Sequence, residues 1–173
     1  MTSPFVRTPL TNQEADALCQ TCETFQEKLI VWTLLDTGLR VSELCALTSQ
    51  NIQWQQKAVR VNGKGEGGLS KKRVVPLSHR VPSLFEHYFA LHNSWPVGKR
   101  QAQKIVKCVA NKAKITQNVT PHILRHTFAT VALQKGISLA AVQKILGHAR
   151  LTTTAIYLNF TGIHILEEYS RKW

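Results

Sequence analysis

The stretch PHILRHTFAT, residues 121–130, places two histidines and an arginine at the predicted start of a helix. Thr120 can accept hydrogen bonds from the free N–H groups of the first turn, and Pro121 suits the first helical position. His122 and Arg125 are three residues apart, so they share a face of this helix. An imidazole and a guanidinium beside the positive end of a helix dipole favour an oxyanion such as phosphate. Such a pair on its own is more often a solvated helix edge, and we expect it to lie beside the core rather than in it.

Four residues in other segments extend the possible chemistry. Arg40 follows a predicted helix stop and Lys64 follows a β-favouring stretch, while His148 and Tyr157 lie further along the chain. Cleavage of a phosphodiester without a metal needs two cationic groups on the nonbridging oxygens, a nucleophile, and a proton donor for the leaving alkoxide. A phenol, with a pKa of about 10, also needs nearby cations and a base to act as a nucleophile at neutral pH. These roles are available in one set of residues: Arg40, Lys64, His122, Arg125, His148 and Tyr157.

The elements that must position this set are predicted to be mainly helices. Capping patterns, apolar periodicity and glycine stops predict helices that start at residue 11 and cover 25–38, 41–47, 82–91, 99–113, 121–135 and 137–147, with a short helix or turn around Tyr157 and a final helix over 163–173. Three β-favouring stretches, around 52, 58–61 and 73–75, are separated by polar or Gly-rich turns. The sequence therefore predicts a mainly α fold with a small three-stranded antiparallel β-sheet, an α+β class.

Length, composition and charge narrow the class of protein. A chain of 173 residues with 43% hydrophobic residues can form one compact domain with a substantial core. The net charge of +12 indicates a polyanionic partner. Nucleic acid is favoured over a membrane, because no predicted helix pairs a basic side with a broad apolar side; a basic surface that only aids solubility is the alternative. The longest apolar run, 29–35, is too short to cross a membrane and the first ten residues contain no signal core, so we expect a soluble, cytoplasmic protein.

Cysteines and histidines give little support for a metal site. Cys19 and Cys22 form a C-x-x-C pattern, but the sequence has no second pair for a four-ligand zinc site, so we expect reduced, mostly buried thiols. His122 and His126 are four residues apart, but HILRH lacks the glutamate of the metalloprotease pattern. We therefore expect neither a metal nor another cofactor. We assign His126 a structural role on a different side of the helix from His122.

Four motifs occur in a fixed order along the chain: TGLRVSEL, VNGKG, TPHILRHTFAT and LGHARLTTTAIY. They resemble the successive motif boxes of the tyrosine recombinase, or phage integrase, family, and the resemblance covers nearly the whole chain. It implies that residues 1–173 form a single C-terminal-type catalytic domain. It also implies that the N-terminal DNA-clamping domain, which members of the family usually carry, is absent from this chain.

The resemblance implies a role for each residue that binds or attacks the phosphate. Arg40 and Arg125 match the two family arginines that hold the scissile phosphate, and Tyr157 matches the nucleophile. His122 matches a histidine that helps to take the tyrosine proton or to bind the phosphate. His148 matches the position, histidine or tryptophan in the family, that donates a hydrogen bond to a nonbridging oxygen.

The general acid is implied less directly. Lys64 matches the hairpin lysine that protonates the leaving 5′ oxygen, because it follows its strand as the family lysine does. The stretch after Lys64 is several residues longer than the usual family hairpin, and it contains Lys71 and Lys72 as competitors. We therefore predict Lys64 as the acid and keep the other two lysines as alternatives.

The implied reaction is DNA strand exchange through a 3′-phosphotyrosine intermediate. The implied partners are double-stranded DNA and further copies of the chain, as a homotetramer on paired DNA sites or a monomer when isolated, with no membrane partner and a nucleoid-associated location. A type IB topoisomerase, which rejoins the same strand, is the alternative within enzymes. A DNA-binding regulator that has lost catalysis is the alternative from another class, although the set of six residues is intact.

Overall fold

The computed structural model describes residues 8–64 and 70–148, and it confirms the predicted fold class. In chain order the elements are α1 (Asn12–Gln20), α2 (Phe25–Thr37), α3 (Val41–Leu44), a 3-10 turn (Ser49–Asn51), β1 (Ile52–Gln53), β2 (Ala58–Lys64), β3 (Ser70–Pro76), α4 (Val81–Phe89), α5 (Lys99–Lys112), α6 (Pro121–Gln134) and α7 (Leu139–Leu146). Residues 65–69 of the predicted Gly-rich hairpin, the helix or turn around Tyr157 and the final helix over 163–173 lie outside the described residues. No helix within these two ranges is both long and apolar enough to cross a membrane.

Helix α2 is the central element of the core. It carries a run of apolar residues that is buried on most sides, and it packs against α1, α4, α5 and α6. Its N-terminus has a capping box in which Thr24 and Glu27 exchange hydrogen bonds. Its C-terminus ends at Gly38, as predicted, with φ of 62°. The loop that carries Arg40 therefore starts from a position fixed in the core.

Helix α6 begins where the sequence predicts. The Thr120 hydroxyl accepts a hydrogen bond from the Ile123 backbone N–H at 3.3 Å, and Pro121 is the first helical residue. This start places His122 in the first turn and Arg125 one turn later. The local cap thus fixes where the helix begins, and therefore which turn of the helix carries each of these residues.

The sheet has the order β1-β2-β3, and both strand pairs are antiparallel. Strands β2 and β3 have seven residues each, so they are longer than the β-favouring stretches that predicted them. Their register pairs Val61 with Arg73 and Lys64 with Ser70. Lys64 is therefore the last residue of β2, and Arg73 lies three residues from the start of β3.

Three local predictions were wrong. Helix α3, predicted over 41–47, has four residues and ends at Leu44. Helix α4 starts at Val81 and ends at Phe89, so Leu91 lies beyond it and is 80% exposed. The thiols are free, but only Cys22 is buried, and Cys108 is exposed. Cys108 lies on the solvent-facing side of α5, whose buried side is formed by other positions of the amphipathic helix. An apolar residue type did not by itself determine the buried face.

Gly38 has a left-handed backbone and no room for a side chain. Its φ is 62°, a conformation that glycine adopts without a steric penalty. An added Cβ would collide with the Phe128 ring of α6 and would lie 2.9 Å from Cδ2 of Leu146 in α7. Gly38 therefore lets the end of α2 approach both helices closely.

We expect Gly38→Ala to lower the free energy of unfolding by about 2 kcal/mol or more, because a left-handed backbone costs roughly 1–2 kcal/mol for a residue with a Cβ and overpacking adds to it. Urea unfolding followed by circular dichroism measures this change. Gly136→Ala is the matched control, since Gly136 has φ of 84° but nothing within 4 Å of its added Cβ. An equal loss of unfolding free energy in the two variants would show that the close approach of helices at Gly38 does not contribute to stability.

Candidate active site

Arg125 lies in the interior of the protein, with 3% of its surface exposed. Its Nη1 donates a hydrogen bond to the Gly38 carbonyl at 2.5 Å, and its Nη2 donates to the Leu146 carbonyl at 2.6 Å. The prediction that it lies beside the core together with His122 was wrong. Burial is possible because the ends of α2 and α7 supply acceptors for the guanidinium.

Arg40 is the N-cap residue of α3, and 42% of its side chain is exposed. Its backbone N–H donates to the Glu43 carboxylate at 2.8 Å, and its Nη1 donates to the same carboxylate at 3.0 Å. Helix α3 has only four residues. One carboxylate thus fixes both the backbone and the guanidinium of Arg40, while part of that guanidinium faces solvent.

A buried ion pair, which the sequence interpretation missed, lies behind Arg40. The side chains of Glu43 and Arg73 are 5% and 9% exposed, and Nη1 and Nη2 of Arg73 each donate to one carboxylate oxygen at 2.8 Å. Burial alone would raise the pKa of Glu43, but the hydrogen bonds from Arg73 and from the Arg40 backbone hold that pKa below its usual value. The carboxylate is therefore ionised and shared by two arginines. The capping pattern in VSEL was a signal for Glu43, whereas Arg73 has no local signal.

The C-terminal end of α7 is held by two arginines. Nε of Arg73 donates to the Ile145 carbonyl at 2.7 Å, and the next carbonyl, of Leu146, accepts from the buried arginine of α6. Gly147 follows with φ of 69°, and a Cβ there would lie 3.0 Å from Cδ of Arg73. These contacts fix the backbone immediately before His148.

His148 is half-buried beside this helix end. Its backbone N–H donates to the Gln143 carbonyl at 3.2 Å, and its carbonyl accepts from Nε2 of Gln143 at 3.2 Å. Burial lowers the pKa of His148 to about 4, and four nearby basic groups act in the same direction: Arg125, Arg40, His126 and Arg73. The imidazole is therefore neutral at pH 7, so it offers one ring N–H as a donor without adding charge.

His122 and His126 lie together on α6. His122 is exposed, and the two rings make an edge-to-face contact with centroids 4.3 Å apart at an angle of 83°. The prediction that His126 faces another side of the helix was wrong, because residues four apart lie on the same face. His126 also contributes to the potential at His148. It therefore borders the candidate site.

An open cleft of about 500 Å³ extends from Arg40 to strand β2. Its lining includes Glu43, Arg60 and Lys99, and it also includes Gly63, which immediately precedes Lys64. The backbone of Lys64 thus follows directly from the cleft wall, whereas Tyr157 lies outside the described residues. In the described part of the chain, no group of three or more His, Cys, Asp or Glu side chains is placed to hold a metal ion.

A family model described as the phage integrase family matches residues 9–162. The chain belongs to the phage integrase family. Curated relatives support this assignment at the level of sequence. The tyrosine recombinase XerA of Pyrococcus horikoshii is 36% identical over 170 residues, which cover 91% of this chain and 59% of the relative. The tyrosine recombinase XerD of Halalkalibacterium halodurans is 32% identical, with 93% of this chain and 60% of the relative covered. The chain thus spans about three fifths of the length of these relatives.

Solved structures of recombinases have the same fold as this phage integrase family member. The crystal structure of XerA recombinase matches 99% of this chain and 66% of its own chain, with a TM-score of 0.80 and 28% identity. The site-specific recombinase XerH, solved in a post-cleavage complex with a palindromic difH substrate, matches 95% of this chain and 53% of its own, with a TM-score of 0.75 and 24% identity. The second match concerns the fold alone.

Within this family member, part of the predicted set converges on one place. Arg125 donates to the carbonyls of Gly38 and Leu146, which lie two residues before Arg40 and His148. The positive charges of both arginines also lower the pKa of His148. His122 lies in the first turn of the helix that carries Arg125. The described residues define only the backbone position of Lys64, so its side chain and Tyr157 remain predictions.

We expect His148 to make the protein less stable as the pH falls. Its pKa is about 4 in the folded protein, compared with 6.5 for the ordinary group, so an unfolded chain binds a proton first. The stability that neutral His148 contributes is fully present above pH 6.5 and is lost as the pH falls towards 4. His148→Gln, which cannot titrate, should lose less stability over this interval. Urea unfolding of both proteins at several pH values tests this, and parallel pH curves would contradict it.

Proposed function

We propose that this chain is the catalytic domain of a site-specific recombinase that cleaves and rejoins double-stranded DNA through a 3′-phosphotyrosine link. The observation that carries the proposal is that buried Arg125 donates to the carbonyls of Gly38 and Leu146, which lie two residues before Arg40 and His148, in a member of the phage integrase family. Relatives named tyrosine recombinase match more than nine tenths of the chain, with coverages of 91% and 93%. The phosphotyrosine bond conserves the energy of the broken diester, so the reaction needs no nucleotide cofactor.

In the proposed reaction, the Tyr157 oxygen attacks phosphorus and the bond from phosphorus to the 5′ oxygen breaks. The phenolic proton passes to a base, for which His122 is the candidate, and Lys64 gives a proton to the leaving 5′ oxygen. In the second step, a 5′ hydroxyl of another strand attacks the phosphotyrosine and releases Tyr157. Each step forms one P–O bond and breaks one, so the exchange is close to isoenergetic.

The charges of the site suit a phosphorane transition state. Arg40 is partly exposed and would contact the phosphate from the solvent side, and Arg125 would lie beneath it. Guanidinium groups suit this role because they stay charged and can hold two oxygens in one plane. His148 is neutral, so it would donate a hydrogen bond to a nonbridging oxygen without adding repulsion between the arginines.

The proposed partner is duplex DNA, recognised largely through its phosphates. The chain carries a net charge of +12, and the cleft beside Arg40 is lined by Arg60 and Lys99. Helix α5 exposes further basic side chains on the same element as Lys99: Arg100, Lys104 and Lys107. The neighbour XerH was solved with a palindromic difH substrate. We propose a homotetramer on paired DNA sites during recombination, formed from chains that are monomers when isolated.

Two other functions are less well supported, because the relatives are named recombinases and integrases. A type IB topoisomerase would relax supercoiled plasmid DNA by rejoining the same strand, without products that join two sites. A regulator without catalysis would bind DNA and form no covalent adduct. Product topology and adduct formation therefore separate the three functions.

We expect Tyr157→Phe to form no covalent adduct with DNA that carries a nick beside the cleavage position, where the wild type accumulates one. The hydroxyl would be one of many protein groups that contact the DNA phosphates, so the Kd for DNA should change by less than about threefold. Denaturing gels measure the adduct and fluorescence anisotropy measures the Kd.

The matched control is Tyr88→Phe, which removes a hydroxyl that donates to the Ser94 carbonyl at 2.9 Å in a different part of the fold. This variant should form the adduct at the wild-type rate. An adduct formed by Tyr157→Phe would refute the proposed nucleophile. A wild-type chain that binds DNA but forms no adduct would refute the proposed function.

We expect Lys64→Ala to slow cleavage of ordinary DNA by about 10²–10⁴-fold, the range typical of a lost general acid. A 5′-bridging phosphorothiolate has a leaving thiolate that needs no proton, so the variant should regain most of its cleavage rate on that substrate. Arg40→Ala, which loses charge stabilisation instead, should not regain it. Single-turnover cleavage of both substrates measures the effect.

Lys71→Ala and Lys72→Ala are the matched controls, because they remove the same charge from neighbouring positions of the hairpin. They should cleave ordinary DNA at close to the wild-type rate. If the phosphorothiolate substrate restored the cleavage rate of Lys71→Ala or Lys72→Ala but not that of Lys64→Ala, the general acid would lie further along the chain.

A further inference from the structure

The side chain of Arg73 joins three parts of the fold that carry residues of the candidate site. It lies on β3 opposite Val61 of β2, it holds Glu43 of α3, and it donates to the Ile145 carbonyl of α7. We propose that Arg73 is a positioning residue for DNA cleavage, and that it acts through Glu43 on the guanidinium of Arg40. The proposal rests on the proposed function, since it concerns the rate of that reaction.

The first argument is geometric, because only an arginine can make these three contacts together. Nε donates to the Ile145 carbonyl at 2.7 Å, while Nη1 and Nη2 donate to the two oxygens of Glu43 at 2.8 Å. The planar guanidinium therefore sets the rotation of the carboxylate about its own axis. The same carboxylate accepts from the backbone N–H and from Nη1 of Arg40. Its orientation is thus passed on to Arg40.

The second argument concerns charge. Arg40 paired with Glu43 alone would form a neutral pair, which attracts a phosphate weakly. Arg73 adds a second positive charge to the buried carboxylate, so the three groups together carry one net positive charge. That charge is available on the exposed side, where 42% of the Arg40 side chain meets solvent. Coulomb attraction to a phosphate therefore depends on a residue behind Arg40.

The third argument is that Arg73 does not reach the DNA. Its side chain is 9% exposed, and its Cδ lies 3.0 Å from the position of an added Cβ on Gly147, so the end of α7 covers it. All three guanidinium nitrogens of Arg73 already donate to protein acceptors, namely the Glu43 carboxylate and the Ile145 carbonyl. Its effect on cleavage must therefore pass through Arg40 and its neighbours.

A double-mutant cycle separates this role from a general loss of stability. The proteins are the wild type, Arg73→Met, Arg40→Ala and the double variant, and the measurement is single-turnover adduct formation on the nicked DNA, with the Kd for DNA measured alongside. We expect Arg73→Met to slow adduct formation by about 10- to 100-fold, as a displaced catalytic group does, with the Kd changed by less than about threefold. In the Arg40→Ala background, the same substitution should slow the reaction by less than about threefold.

The matched control is Arg80→Met. Arg80 makes a similar two-oxygen pair with Asp36, with Nε and Nη2 both at 2.6 Å from the carboxylate, but that pair does not touch Arg40. It should leave the rate of adduct formation unchanged at a temperature where the variant is folded. Arg73→Lys is the second variant, for use if Arg73→Met does not fold, because it keeps the charge and loses the planar contact. Its expected slowing of about fivefold or more should also vanish in the Arg40→Ala background.

Two results would overturn the proposal. One is an equal slowing by the Arg73 substitution with and without Arg40, which would mean that Arg73 acts independently of that guanidinium. The other is a wild-type rate of adduct formation in folded Arg73→Met and Arg73→Lys. Failure of the proposed function looks different, because the wild-type chain itself would then form no adduct.

Discussion

A guanidinium in a protein interior must be hydrogen-bonded, because each unpaired buried donor costs about 1–3 kcal/mol and more when the group is charged. Arg125 meets this requirement with the carbonyls of Gly38 and Leu146. Each carbonyl stands two residues before another member of the site, since Arg40 follows Gly38 and His148 follows Leu146. The hydrogen bonds of one buried side chain therefore fix the starting points of two segments that carry candidate site residues. The backbone positions before Arg40 and His148 thus depend on the hydrogen bonds of one buried guanidinium.

Several positive groups share this region, and their mutual repulsion has to be limited. The buried carboxylate of Glu43 lies between Arg40 and Arg73 and accepts hydrogen bonds from both. Because the carboxylate is ionised, two guanidinium groups can lie close together without a large electrostatic cost. His148 responds differently to the same field, since its pKa falls to about 4 and it stays neutral. Because Glu43 is ionised and His148 is neutral, the group formed by Arg40, Arg73 and Glu43 carries one net positive charge, part of which is exposed at Arg40.

The parts of the fold that the sequence predicted correctly depend on local signals. The start of α6 at Pro121 follows from the Thr120 cap, and the end of α2 follows from Gly38. The three strands were also located, although β2 and β3 are longer than predicted. These features need only neighbouring residues, so periodicity and capping rules were sufficient to find them.

Two features that the sequence interpretation missed depend on partners far along the chain. Arg125 was expected outside the core, but its acceptors are 87 and 21 residues away, so helix periodicity could not reveal its burial. The pair of Glu43 and Arg73 spans 30 residues and joins a helix to a strand. Residue types and motifs thus supplied the candidate groups, whereas the burial and the charge partners of those groups were set by tertiary packing.

The two arginines of the site are consequently not equivalent, even though they match equivalent roles. Arg125 is 3% exposed and donates hydrogen bonds to backbone carbonyls at the ends of two helices, so its removal would disturb the fold and the proposed chemistry together. Arg40 has 42% of its side chain exposed and is anchored by one carboxylate in a four-residue helix. Its removal would leave the contacts of the core in place. In the proposed function, a phosphate would thus lie between buried Arg125 and exposed Arg40, and the Glu43 carboxylate would hold Arg40 in position. Of the two, the exposed arginine is the one whose substitution reports on chemistry with little contribution from folding.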